Sequence, residues 1–255
     1  MCWVVARPAL LRKVALFVMT CIALIPARAG SKRVPDKNLK LLAGRPLICH
    51  TIRQAKAAEC FSEIVVSSDH PDVLRLADEA HVTAIERPAD LATDSSPDIH
   101  WVRHALTNRR ADAFCILRPT SPFRRPETIR EAWLAFQDDS QADSLRAVRL
   151  ITEHPGKMWV MVQGTRLLPL LPFGWDDGVP WHSRPTQSLP SIVVQTSSLE
   201  FAWVSTVLGM NGGSISGQTV RPFLVSGPDA FTIDTPEDWA EAERLVPSFL
   251  PQHLA

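Results

Sequence analysis

The sequence predicts an α/β fold on a mainly parallel sheet, and two observations carry that prediction. Short apolar runs alternate with amphipathic stretches along most of the 255 residues. The first apolar run, Cys21 to Ile25, breaks at Pro26 into a loop of small and basic residues. A buried strand emptying into such a loop is how many α/β folds hold a polyphosphate. The length suits one large domain.

The elements follow in order. Residues 20–25 read as the first buried strand. Residues 46–58 read as a helix, with Leu47, Ile48, Thr51, Ile52 and Ala55 on one face. A strand at 63–67 precedes a helix at 71–80, where Pro71 occupies the first turn and its missing N–H costs nothing. Next come a short strand at 82–85, a helix at 98–106 and a strand at 113–117 that closes at Arg118-Pro119-Thr120-Ser121-Pro122. A helix at 126–136 and a strand at 144–151 follow. Residues 152–190 are rich in Pro, Gly and Trp, keep no helical period and read as an inserted arm or lid. The βα pattern resumes at 192–204 and 220–225. The last helix, 236–246, has Thr235 as N-cap and Glu237 and Asp238 against the dipole.

Lys plus Arg equals Asp plus Glu, 27 each. No global field therefore draws the chain to nucleic acid or to an anionic membrane. The exception is local. Arg28, Lys32, Arg33, Lys37 and Lys40 face only Asp36 in the loop after the first strand. Gly30 and Ser31 there let backbone N–H groups approach oxyanions, while the cations supply charge. The loop is neither a Walker A sequence nor a Rossmann G-x-G-x-x-G.

The cysteines, Cys2, Cys21, Cys49, Cys60 and Cys115, are scattered and odd in number. They imply neither a disulfide framework nor a zinc site, and fit a reducing cytoplasm. Arg7, Arg12 and Lys13 before an apolar run, with Ala27-Arg28-Ala29 after it, outline a secretory signal peptide. Cleavage there would destroy the cationic loop at Arg28, so the run is read as a strand. Residues 1–18 then read as an upstream extension ahead of a natural start at Met19, and 19–250 as the domain.

Four segments carry a family resemblance. Residues 25–38, Ile-Pro-Ala-Arg-Ala-Gly-Ser-Lys-Arg-Val-Pro-Asp-Lys-Asn, resemble the nucleotide-binding signature of the acylneuraminate cytidylyltransferases, the CMP-sialic acid synthetases and their relatives. Arg-Pro-Ala-Asp-Leu-Ala-Thr-Asp at 87–94 resembles the family's R-P-x-x-L-A-x-D. Leu-Arg-Pro-Thr-Ser-Pro-Phe-Arg at 117–124 resembles its L-Q-P-T-S-P-L-R. Ile-Asp-Thr-Pro-Glu-Asp-Trp at 233–239 resembles the segment that carries its metal aspartate.

The resemblance implies a doubly wound, nucleotide-diphospho-sugar transferase-like α/β domain, with a projecting dimerisation arm at 152–190 and a homodimer. It implies transfer of CMP from CTP to the anomeric hydroxyl of a nonulosonic acid, an acidic nine-carbon sugar, with Mg²⁺ as cofactor and release of pyrophosphate. Ala27, Arg28, Gly30, Ser31, Lys32, Lys37 and Asn38 would hold the triphosphate, with Arg28 and Lys37 catalytic. Arg87, Ala92 and Asp94 would line the cytidine site, and Asp234 would hold the metal. Lys157, in His-Pro-Gly-Lys at 154–157, and Arg184 resemble residues near the donor sugar. Lys157 reads equally as a solvated loop charge.

Departures concentrate on the sugar half. Thr232 stands where the family usually has a second acid, leaving Asp69 as the candidate to compensate. Arg118 replaces the Gln of sialic acid members, and a guanidinium grips a carboxylate in a bidentate way that an amide cannot. Arg118 also reads as one half of a strand-end ion pair. Gln195 opens Gln-Thr-Ser-Ser-Leu-Glu at 195–200, in place of the family's N-G-A-I-Y. Three other readings stand beside the main one: a 3-deoxy-manno-octulosonate cytidylyltransferase, which usually carries Ser-Thr-Arg-Leu-Pro-Gly-Lys in the loop; a non-catalytic nucleotide-binding paralogue; and a secreted binding protein.

Overall fold

The computed structural model describes residues 19–209 and 213–250; the extension expected at 1–18 lies outside them. In chain order the elements are β1 (Cys21–Pro26), β2 (Leu41–Leu42), β3 (Arg45–Pro46), α1 (Leu47–Ala58), β4 (Glu63–Ser68), α2 (Pro71–Glu79), β5 (Thr83–Glu86), α3 (Asp98–Leu106), β6 (Ala113–Ile116), α4 (Pro126–Asp138), β7 (Ser144–Leu150), β8 (Trp159–Val162), β9 (Arg166–Pro169), β10 (Val193–Trp203), α5 (Val204–Leu208), β11 (Val220–Leu224) and α6 (Pro236–Phe249). Seven strands form one sheet in the order β11-β7-β10-β6-β1-β4-β5.

β1 is an interior strand, parallel to both its neighbours, β4 and β6. Its residues alternate between two layers, as the pleat requires. Cys21, Ala23 and Ile25 pack with α1, α2 and α4, while Ile22 and Leu24 pack with α3 and α5. The sheet is therefore covered on both faces, and β1 reads as a continuous apolar run. Each fully buried Ile or Leu there contributes about 1.5–3 kcal/mol. Because the chain leaves β1 for β4 on one side and later returns to β6 on the other, a crevice opens at the carboxyl ends of these strands.

One expectation changes. Periodicity alone reads 192–204 as another βα unit, but β10 runs antiparallel between β6 and β7. Val193 pairs with Leu150, so the arm leaves and re-enters the sheet at the same end of β7. The strand after it must then run in the opposite direction. Within the arm, β8 and β9 form a separate antiparallel pair.

Candidate active site

The loop after β1 is fixed before its cations are counted. Ala27 N–H donates to the Ser67 carbonyl at 3.0 Å, and Ser68 Oγ donates to the Ala27 carbonyl at 2.6 Å. Ala29 N–H donates to Asp69 Oδ1 at 2.7 Å. Gly30 turns at φ 71°, in the left-handed region where an added Cβ is disfavoured. Asn38 Nδ2 donates to the Arg28 carbonyl at 3.1 Å, closing the arch. Val34 is buried among Leu42, Leu47, Phe123, Ile233 and Trp239, and pins the arch to the domain.

With its apolar residue turned inward, the loop presents its charges to a cleft of about 360 Å³. Arg28, Ser31, Lys32, Arg33, Lys37, Asp94 and Asp234 line it. Arg28 Nη2 lies 2.5 Å from Asp94 Oδ1, and Lys32 pairs with the other oxygen of the same carboxylate. These bonds, Lys32's first and then Arg28's, hold the Asp94 carboxyl below its ordinary range. Lys37 Nζ donates to the Ile233 carbonyl at 2.9 Å and stands 3.8 Å from Asp234 Oδ1. Burial pulls the Lys37 ammonium below its ordinary pKa, against the opposing pull of Asp234. Four cations facing two carboxylates make this a receptor for a multiply charged anion.

Asp234 is held there by the start of α6. Thr235 Oγ1 accepts the Asp238 N–H, while Asp238 Oδ2 accepts the N–H groups of Asp234 and Thr235 at 2.9 and 2.8 Å. This capping box satisfies donors that the helix cannot. Burial pushes the Asp238 carboxyl up, but these backbone bonds outweigh it and the net shift is downward. The Asp234 side chain stays 46% exposed at the cleft.

The cleft thus brings together Arg28, Ser31, Lys32, Lys37, Asp94 and Asp234, with Ala27, Gly30 and Asn38 in the same arch. Ala92 sits in the turn just before Asp94. The remaining candidates lie elsewhere. Arg87 is buried, with Nε 3.0 Å from Ser67 Oγ and its guanidinium stacked over Trp101, and burial brings its pKa down to about 10. Arg118 contacts Asp98 at 2.7 Å and Glu200 at 3.0 Å, and Arg146 reaches the other Glu200 oxygen at 3.1 Å. Lys157 donates to the carbonyls of His182 and Arg184, and Arg184 pairs with Asp177, all within the arm. Gln195 is exposed on β10, beside a register shift between it and Glu200.

Sequence reasoning counted Arg33 in the cationic run without naming it as a site residue, and it too lines the cleft. It also passed over the serines of β4 that brace the arch. No local signal marks them, because their partner, Ala27, lies 40 and 41 residues away.

An interior parallel strand, a cationic loop at its carboxyl end and a carboxylate opposite define an α/β protein with a polyphosphate site. A family profile described as "Cytidylyltransferase" matches residues 22–156. The chain is 36% identical over 239 residues to the CMP-N,N'-diacetyllegionaminic acid synthase of Legionella pneumophila, covering 89% of this chain and 97% of that protein. It is 37% identical over 117 residues to an N-acylneuraminate cytidylyltransferase of Escherichia coli, a match spanning 46% of this chain and 28% of that one. A solved CMP:2-keto-3-deoxy-manno-octonic acid synthetase, complexed with CTP, superposes with a TM-score of 0.66 at 18% identity, covering 89% and 98% of the two chains; at that identity the likeness establishes the fold. The chain belongs to the cytidylyltransferase family, in its acylneuraminate branch, and is a nucleotidyltransferase.

Proposed function

We propose that this protein transfers CMP from CTP to the anomeric hydroxyl of a nonulosonic acid of the sialic or legionaminic type. The observation that carries this reading is the convergence of three separate family-like segments, 25–38, 87–94 and 233–239, on one cationic cleft. The near full-length match to a CMP-legionaminic acid synthase supports it over a 3-deoxy-manno-octulosonate enzyme or a non-catalytic paralogue.

In the reaction, the sugar oxygen forms a bond to the α-phosphorus of CTP while the bond from that phosphorus to the β-phosphate bridging oxygen breaks. Pyrophosphate leaves with the electron pair, and the hydroxyl proton passes to solvent. Arg28, Lys32 and Lys37 bind the β- and γ-phosphates, exchanging their contacts with Asp94 and Asp234 for phosphate oxygens. Cations already in place where charge accumulates lower the barrier.

The donor set around Asp234 fits Mg²⁺ that arrives with the nucleotide. The half-exposed Asp234 carboxylate would hold the ion together with phosphate oxygens and water, since Mg²⁺ keeps several waters readily. Among the described residues no cluster of three or more His, Cys, Asp or Glu side chains exists to hold a resident ion. Bound there, Mg²⁺ would supply charge neutralisation on the leaving pyrophosphate.

The protein acts as a homodimer joined through the arm. Trp159, Val160, Met161, Leu167 and Leu168 stand exposed on β8 and β9, an apolar surface of the kind that marks interfaces. It works in the cytoplasm, a reading supported by free thiols at Cys21, Cys49, Cys60 and Cys115. Among the described residues no helix is long and apolar enough to cross a membrane.

The test is pyrophosphate release from CTP and Mg²⁺ with legionaminic, sialic and 3-deoxy-manno-octulosonic acids. Turnover with a nine-carbon acid supports the reading. CTP binding without turnover on any sugar overturns it in favour of the paralogue.

A further inference from the structure

The peptide between Arg28 and Ala29 is held at both of its polar ends. Its N–H, on Ala29, donates to Asp69 Oδ1 at 2.7 Å, and its carbonyl, on Arg28, accepts from Asn38 Nδ2 at 3.1 Å. The partners come from separate parts of the chain: Asp69 follows the end of β4, and Asn38 precedes β2. A backbone N–H bonded to a carboxylate at this distance is a charge-assisted hydrogen bond, the stronger kind.

The backbone differs on the two sides of this peptide. Upstream, the Ala27 N–H and carbonyl are both taken by β4, through the Ser67 carbonyl and Ser68 Oγ. Downstream, Gly30 turns at φ 71°, and the N–H groups of Gly30, Ser31, Lys32, Arg33 and Val34 donate to nothing among the described residues. Ser31, Lys32, Arg33 and Val34 line the cationic cleft, and Asp69 does not. Successive unpaired N–H groups make an anion-binding concavity when the turn holds them in place. The clamped peptide is the last hydrogen-bonded one before them. The charge of Asp69 has a second reach: burial lowers the Arg87 pKa, and Asp69 is the foremost charge opposing that.

We propose that Asp69 is a positioning residue for the nucleotide rather than a ligand for the metal. Together with Asn38 it fixes the Arg28–Ala29 peptide, so that the N–H groups of residues 30–34 are set for the triphosphate before it arrives. Donors held in advance stabilise charge without reorganising. This role rests on the CTP reading above and acts through the backbone of the arch.

Calorimetric titration of the full chain with CTP, once with Mg²⁺ and once with EDTA, tests the role without any sugar, so it is decided even where the sugar assignment fails. Asp69→Ala weakens CTP binding by about tenfold or more, and by the same factor in both titrations. Asp69→Asn keeps an acceptor for the Ala29 N–H while dropping the charge, and stays within about threefold of the parent. Asn38→Ala loosens the same peptide, so Asp69→Ala costs less in that background than alone. Circular dichroism checks each fold, and Asp69→Ser, with its shorter side chain, replaces Asp69→Ala if the latter does not fold. A loss seen only with Mg²⁺ would make Asp69 a metal ligand. An equal loss in Asp69→Asn would assign the effect to its charge beside Arg87. Either result, full additivity with Asn38→Ala, or unchanged CTP affinity in Asp69→Ala overturns the proposal.

Discussion

Arg118 and Glu200 meet at 3.0 Å just beyond the end of β6, where Glu200 is 5% exposed and also touched by Arg146. One buried carboxylate thus serves two guanidiniums, and Asp98 takes the remaining reach of Arg118. Burial alone would lower the Arg118 pKa; Glu200 and then Asp98 raise it instead. The Arg118 guanidinium is consequently occupied by protein carboxylates in this structure.

Glu200→Ala leaves two guanidiniums without their shared acid, and stability falls by about 3–5 kcal/mol. Arg118→Gln has a smaller effect, because Arg146 still faces Glu200 and the Asp98 side chain is 40% exposed. Urea unfolding of both variants orders them. The KM for the sugar stays within about twofold in Arg118→Gln; a large rise in KM at unchanged stability would assign Arg118 to the sugar instead.

In the proposed reaction Lys37 must be charged to hold phosphate, and burial lowers its pKa. CTP affinity is therefore full below the folded-state pKa of Lys37 and declines as pH rises through it, beginning below the ordinary lysine value of about 10.4. Folding responds with the opposite sign. The unfolded chain binds the extra proton between the two pKa values, so the stability cost of Lys37 shrinks as pH rises there. Lys37→Arg, charged throughout, moves the alkaline limb of CTP binding upward, and a pH series of titrations in both proteins reads the shift. Lys37→Ala reduces CTP turnover at least a hundredfold with the fold retained by circular dichroism.

Metal use is tested at Asp234 and Thr232. Asp234→Asn raises the Mg²⁺ concentration needed for half-maximal turnover about tenfold or more. Thr232 Oγ1 is buried without a partner, at the position where the family resemblance leads to the expectation of a second acid. Thr232→Asp lowers the Mg²⁺ requirement while costing stability, since a carboxylate must be buried there. Magnesium titrations of pyrophosphate release with parallel thermal melts separate the two effects.

Met161→Asp and Leu168→Asp place charges on the apolar face of β8 and β9, where these residues are 69% and 57% exposed. Both variants run as monomers by light scattering, with secondary structure unchanged. Dimers that survive both charges would move the interface off the arm.

Much of the architecture was legible because its causes are local. The run from Cys21 to Ile25 is buried on both faces, so apolarity alone marks β1. The helix expected at 98–106 is α3 at Asp98–Leu106, and Thr235 caps α6 with a bond to the Asp238 N–H. The cationic arch was also legible, since its charges fall within 13 residues. What could not be read depends on distant partners. The antiparallel course of β10 follows from where the arm re-enters the sheet. The places of Arg87 and Arg118 follow from Ser67, Trp101, Asp98 and Glu200, which lie 14 to 82 residues away in sequence.

The sequence by itself determined the strand and the cationic loop, because charge density and apolar runs are properties of neighbours along the chain, while the class of reaction was implied by the resemblance of four of its segments to the cytidylyltransferases. Only the tertiary structure decided which cations remain free to meet a ligand. A guanidinium is a binding group or a structural one according to the carboxylates the fold brings within about 3 Å of it. Arg28 and Lys32 face one exposed carboxylate that a triphosphate can replace, whereas Arg118 is held by a buried one.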